Sequence, residues 1–566
     1  MFRIRRIAAL LTSVLMFAFI SGCSPSANSG GSSARPDISQ MSEKDRWLGK
    51  FSETVTVKLA VPTNAATEFP PGDSYSENVW TRAWLEELNI KMESLWEAVD
   101  AGGDYETKLN LSIASDDLPD IINFKTFSQF DKLLKAGKLE DLTWHYENFA
   151  SDALKTNISL AGDAIEWGKT SEGNLMGIPQ KGVNYQNTRM IFIREDWLAE
   201  SGLPDPKTME DVIAIAKAFK DKDPANRLGL PFFKTVIDDG MCDIRGIANA
   251  FGAYPRAWFD DGTGALQYGT IQPEMKTAIQ VYADLYAQGY IDPAFASLDG
   301  GAVGEQLTSN KIGVIIGNSW LPGWPLNTLY DTDDVNWKVF PLLPSSTLTK
   351  PFKAQTDAAT GQLLGVRKGY AHPEALLKIL NFSIAMTDDP ETAQPLKFHS
   401  DPAFPDYGYH MYNPIYVYWS DPMINFDTQV HVTDAIDKKD LSYLKTPHDQ
   451  TQYNNTIKWF EALEAGSKPT GADWAAWISW YGEGSAFAQF NYYFANDLYF
   501  TSALTGLETD TMVKQWGNLK TIEEQYITEI VSGTRPVSDF DEFVATWKSL
   551  GGDDIIKEVN EWYKSK

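Results

Sequence analysis

From Lys311 to Gly317 the chain reads Lys-Ile-Gly-Val-Ile-Ile-Gly, a short apolar run that suits a strand in a sheet covered on both faces. Such a sheet needs helices to cover it, and the rest of the sequence supplies them. Val55, Val57, Leu59 and Val61 alternate at a period of two among β-branched residues, which predicts a strand. Further strands are predicted at Tyr105–Ile113, Ile121–Phe124 and Met190–Arg194. Thr208 is placed to cap a helix, with Asp211 in its first turn and Val212, Ile215, Ala216 and Phe219 repeating on one face. The last third, from about Asn455, is mostly helical in pattern. Strands alternating with helices predict an α/β fold with helices on both faces of its sheets.

The amino terminus reads differently. Arg3, Arg5 and Arg6 precede an apolar stretch from Ile7 to Ile20 and the small residues Ser21 and Gly22, the three parts of a secretory signal peptide. Cys23 follows at once, and Ile20-Ser21-Gly22-Cys23 resembles the bacterial lipobox, which implies cleavage before Cys23 and a diacylglyceryl group on its sulfur. Residues 1–22 are therefore expected to be removed, and 23–50 to form a lipidated cysteine and a flexible tether. Ser24–Asp37 is rich in Ser, Gly, Ala, Asn and Pro and cannot bury enough surface to offset its chain entropy. Two or more acyl chains anchor a protein stably, whereas one holds it only marginally. The expected location is the extracellular face of a bacterial cell membrane, since no other segment approaches the ~18 consecutive apolar residues of a membrane span.

The roughly 540 residues that follow exceed the ~100–200 of an ordinary domain, so more than one core is predicted. Cys242, the only other cysteine, has no intramolecular partner and is expected to be a buried thiol. A net charge of -27 leaves no basic stripe to neutralise phosphates, which argues against nucleic acid.

Tyr105–Ile122, ending in Ala114-Ser115-Asp116-Asp117-Leu118-Pro119-Asp120-Ile121-Ile122, resembles a segment of the extracellular solute-binding lipoproteins of carbohydrate ABC importers. Further segments match that family in order: Asn174-Leu175-Met176-Gly177-Ile178-Pro179, Ile193-Arg194-Glu195-Asp196-Trp197-Leu198 with Ser201–Thr208, Leu285–Pro293 and Lys311-Ile312-Gly313. Gly551–Tyr563 resembles the family's terminal helix. The resemblance implies a periplasmic-binding-protein-like fold of two α/β lobes, with a ligand trapped between them by hinge closure. It places one lobe at 51–185 plus 351–450 and the other at 186–350 plus 451–566. The implied partners are an oligosaccharide and the permease subunits of an ABC transporter, for a monomer without cofactor or metal.

A sugar presents hydroxyls at its rim and apolar C–H faces, so its site needs flat aromatic platforms with carboxylates and amides beside them. The 19 tryptophans cluster in two places. Trp320 and Trp324 follow the Lys311–Gly317 strand in a Gly/Pro loop, and Trp474, Trp477 and Tyr481 lie in the densest aromatic stretch. Further candidate ligand contacts are Asp73 and Tyr75 after the first strand, Asn123, and Tyr185 with Asn187 near the crossing between lobes.

Enzyme motifs fail on inspection, and no catalytic residues are assigned. Five residues rather than four separate Gly162 from Gly168-Lys169-Thr170, and Asp163 and Glu166 would repel a phosphate. The six histidines lack metal spacing. Some members of the family carry a calcium loop, but here Asp221–Arg227 has Ala225 where a ligand belongs and a cation at Arg227. Two alternatives stay open at this point: a receptor for a peptide or small polar solute, and an exported glycoside hydrolase using paired carboxylates.

Overall fold

β-Branched alternation at Val55 is realised as β1 (Val55–Thr63), whose Val55, Val57, Leu59 and Val61 are all buried. In the computed structural model, residues 35–564 are described apart from 65–66, 68, 101–102, 161, 181–184, 238–239, 261, 334, 357–361, 388–393, 399–408, 416–422 and 505–507. The expected signal peptide, Cys23 and the start of the tether lie outside the described residues.

β1 pairs in parallel with β2 (Ile90–Val99) and β3 (Ile121–Phe124). β4 (Gly177–Pro179) completes the same sheet through a later strand, and the chain then leaves for a second sheet built on β5 (Met190–Arg194). A short hairpin of β6 (Trp258–Asp260) and β7 (Leu266–Tyr268) follows. β8 (Val314–Gly317) and β9 (Trp337–Pro341) flank β5 on either side, both antiparallel to it. β10 (Ala354–Gln355) precedes the return to the first sheet, where β11 (Leu363–Val366) runs antiparallel between β3 and β4. β12 (Tyr499–Phe500) pairs with β10. The five-stranded order is β2-β1-β3-β11-β4 and the three-stranded order β8-β5-β9.

Both sheets are covered on both faces, as the apolar run at 311–317 predicts. Every residue of β5 and of β8 is buried. In the first sheet Ile121 packs with Val57 and Leu59 on one face, while Ile122 and Phe124 pack with Tyr105, Leu109 and Phe130 on the other. The helix Met209–Lys222 opens on the Thr208–Asp211 capping box and buries Val212, Ile215, Ala216 and Phe219.

One predicted strand is a helix. Tyr105–Ile113 lies inside the helix Asp104–Ser115, with Tyr105, Leu109, Ser112 and Ile113 buried at helical spacing. A strand would put Leu109, Leu111 and Ile113 on one face; the helix turns Leu111 outward, 65% exposed. β2 takes the place beside β1 instead.

The cores separate into two lobes. Residues 55–180 and 363–415 build the clusters on the two faces of the first sheet, and residues 190–354 and 423–563 build the cluster around the second. The boundary expected near 450 moves. Phe426 and Val432 of the helix Ile424–Lys438 pack in the second core, and Trp459 of the helix Pro447–Glu464 packs against it. The third crossing therefore falls between Ile415 and Phe426.

The tether is also shorter than expected. A capped helix, Glu43–Leu48, docks on the helix Glu374–Thr387 of the first lobe. Lys378 Nζ donates to the carbonyls of Asp45 and Gly49 at 2.7 Å each, and Asn381 Nδ2 donates to that of Trp47 at 3.1 Å. Burial pulls the Lys378 ammonium down to about 8, against the opposing pull of Glu374 and Asp45. Among the described residues no helix is long and apolar enough to cross a membrane.

Candidate functional site

β8 ends at Gly317, and the next residues turn sharply: the Asn318 amide donates to the Gly240 carbonyl at 2.8 Å. The loop then delivers two indoles to the surface. Trp320 is 41% exposed and Trp324 is 44% exposed, their ring centroids 6.3 Å apart with 20° between planes. Trp324 has extended backbone (φ -169°, ψ 134°) inside the turn Pro322–Leu326, which breaks the helical path there. Exposed rings of this size are an unrelieved hydrophobic cost, and the two stack with nearly parallel planes, leaving apolar ring surface open to solvent.

Glycines admit the Trp324 ring and the Asn318 amide close to backbone. A Cβ at Gly304, within the helix Gly300–Thr308, would lie 2.7 Å from Trp324 Cζ2. A Cβ at Gly240 (φ +94°) would lie 2.7 Å from Asn318 Nδ2 and 3.6 Å from Trp320 Cζ2.

Beneath the platform lies a buried polar network. Arg189, 2% exposed, donates from Nε to Asp243 Oδ1 at 3.2 Å and from Nη2 to Asp243 Oδ2. Its Nη1 donates to Asn318 Oδ1 and to the Asn187 carbonyl, each at 2.6 Å. Asn318 Nδ2 in turn donates to Asn187 Oδ1 at 3.3 Å. Burial alone would raise the Asp243 carboxyl, but the Arg189 guanidinium, helped by Arg245 and the Gly240 amide, brings it down to about 2. The network ties the lobe crossing at 187–189 to the loop that carries the indoles.

The predicted residues thus divide. Trp320 and Trp324 stack on each other, and the network of Asn318, two residues before Trp320, takes in Asn187. Tyr185, two residues upstream, packs its ring 4.9 Å from both Phe494 and Tyr499 and 6.3 Å from Phe426, so it braces the crossing. Trp474 is a correction: it is 0% exposed, stacked on Tyr330 at 5.5 Å, with Nε1 donating to Asn336 Oδ1 at 2.9 Å. Trp477 stacks on Trp459 at 4.8 Å, and Tyr481 donates to Asp437 at 2.7 Å. These residues join the helix Gly471–Trp480 to its neighbours, and that helix packs against Pro322–Leu326.

In the first lobe, Asp73 forms a two-point ion pair with Arg82 at 2.8 and 3.0 Å. The Tyr75 hydroxyl accepts from the Asn64 amide at 2.7 Å and donates to Thr67 Oγ1 at 2.8 Å, so both residues stiffen their own loop. Asn123, near the end of β3 opposite Leu364, is 7% exposed, and its Oδ1 is buried without a hydrogen-bond partner among the described residues.

Sequence reasoning missed Arg189, Asp243, Gly240 and Gly304. Only Asn318 carried a usable signal, its place between a buried strand and an aromatic loop. Among the described residues no group of three or more His, Cys, Asp or Glu is arranged to hold a metal. At the loop considered for calcium, Asp223 accepts from Asn226 Nδ2 at 3.0 and 3.1 Å, and Arg227 pairs with Glu200 at 2.8 Å.

Comparison with known proteins agrees with this architecture. The profile of the bacterial extracellular solute-binding protein family matches residues 66–386. Lipoprotein LipO of Bacillus subtilis is 24% identical over 478 residues, 81% of this chain and 84% of that one. The polygalacturonan/rhamnogalacturonan-binding protein YtcQ of the same organism is 26% identical over 282 residues, 48% of this chain and 51% of that one. Among solved structures, the alginate-binding protein AlgQ2 without calcium ion superposes with a TM-score of 0.62 at 17% identity, covering 91% of this chain and 99% of its own.

Proposed function

This chain belongs to the bacterial extracellular solute-binding proteins, and we propose that its solute is a carbohydrate, an oligosaccharide, held between the lobes with Trp320 and Trp324 as the stacking platform. It is a solute receptor of an ABC transporter and not an enzyme, which removes the glycoside-hydrolase alternative. The observation that carries the carbohydrate reading is the pair of exposed, nearly parallel indoles on a polar floor. An apolar sugar face lies flat on such rings, while neighbouring amides suit hydroxyls. A peptide receptor would need groups for a free amine and carboxylate; among the described residues of this floor, the carboxylate of Asp243 is committed to Arg189. The likeness to YtcQ, a polygalacturonan/rhamnogalacturonan-binding protein, supports the same class. Lipid anchoring at Cys23 belongs to this proposal, supported by the lipobox-like residues and by the name of LipO.

The test is a thermal-shift and calorimetric screen against oligosaccharides, monosaccharides and peptides. A ligand at 100 times its dissociation constant stabilises the form it binds by about 2.7 kcal/mol. Trp320→Ala is expected to weaken oligosaccharide binding at least tenfold, about 1.4 kcal/mol, with the ligand-free melting temperature unchanged. A shift with peptides alone, and none with any sugar, would overturn the carbohydrate reading.

A further inference from the structure

Glu508 stands just before the helix Asp510–Val531 of the second lobe, but its carboxylate reaches the first. The Ser128 amide, in the first turn of the helix Phe127–Lys135, donates to Glu508 Oε2 at 3.3 Å. That helix is fixed in the first lobe by Phe127, Phe130 and Leu133. A second, exposed contact runs parallel: Lys135 Nζ lies 3.7 Å from Asp510 while also holding Asp131 at 2.8 Å. Apart from the chain crossings, these side chains bridge the two halves of the molecule. A carboxylate at the start of a helix meets free amides and the positive end of the helix dipole.

We propose that Glu508 is a latch between the lobes, docking on the amino-terminal turn of the 127–135 helix and holding the lobes together as they lie here in the absence of solute. The groups facing it set its response to acidity. Burial is the largest influence and pushes the Glu508 carboxyl above its ordinary value; Glu106 of the helix Asp104–Ser115 pushes it the same way. Lys520, on the second-lobe helix, and the Ser128 amide oppose that push without reversing it. When the lobes part, Glu508 returns to water and to its ordinary value. Closing therefore takes up a proton in the window between the ordinary and the raised value, and acidification favours the latched form.

The test needs no ligand. In the full chain with Cys23→Ser, spin labels are attached at Leu111→Cys in the first lobe and Leu463→Cys in the second, both exposed positions, while Cys242 stays buried and unlabelled. Distance distributions by double electron–electron resonance between pH 8 and pH 5 are expected to shift toward the short separation on acidification. Glu508→Gln keeps the acceptor without the charge and is expected to hold the short separation at both pH values. Glu508→Ala removes the acceptor and is expected to favour the long separation at both. The latch is refuted if the wild-type distribution ignores pH, if the pH response survives in Glu508→Gln, or if the two variants behave alike.

Discussion

Trp474→Ala removes a fully buried ring stacked on Tyr330 and is expected to cost about 3–5 kcal/mol of stability, read by chemical denaturation, with oligosaccharide affinity unchanged. Trp320→Ala is expected to do the reverse. Asp243→Asn leaves the Arg189 guanidinium buried without its counter-charge and is expected to cost about 3–5 kcal/mol. Its pH signature has a definite sign. The native carboxyl is held at about 2, below its ordinary 3.8, so the contribution is present above that ordinary value and is lost as pH falls through the native one. Melting curves between pH 6 and pH 3 should therefore fall more steeply for the wild type than for Asp243→Asn. Composition could find the aromatic clusters but could not sort them. Trp474 and Trp320 are the same residue type, and which of them meets solvent depends on Tyr330 and Asn336, partners more than 130 positions from Trp474. Arg189 and Asp243 stand 54 positions apart, without a local motif to mark them.

Elements were legible where one signal dominated. The helix Met209–Lys222 carries both a capping box and an apolar face, and it forms as predicted. Thr208→Ala is expected to cost about 1 kcal/mol, measured by urea denaturation, because the Asp211 amide loses its acceptor. β1, β3, β5 and β8 were likewise marked by buried β-branched runs. The helix Asp104–Ser115 was misread because Leu109, Leu111 and Ile113 imitate strand alternation, and only packing reveals that Leu111 faces water. β2 was missed for the opposite reason: beyond Met92 its residues are only partly buried or exposed, so no clean period survives in its sequence.

At the scale of the molecule, the two-lobed plan was legible, since sheets alternate along the chain and Gly177-Ile178-Pro179 ends one before Met190 opens the next. The third crossing was not, because helices of either lobe share the same amphipathic pattern and only Phe426 and Val432 reveal their allegiance. The docking of the Glu43–Leu48 helix through Lys378 and Asn381 carries a mechanical consequence. On the lipid anchoring proposed at Cys23, the tether would reach the first lobe before the second, which would make the first half the moored body and the second half, with the indoles, the jaw that swings. On that proposal, closure would move the second lobe against a first lobe that the bilayer holds still.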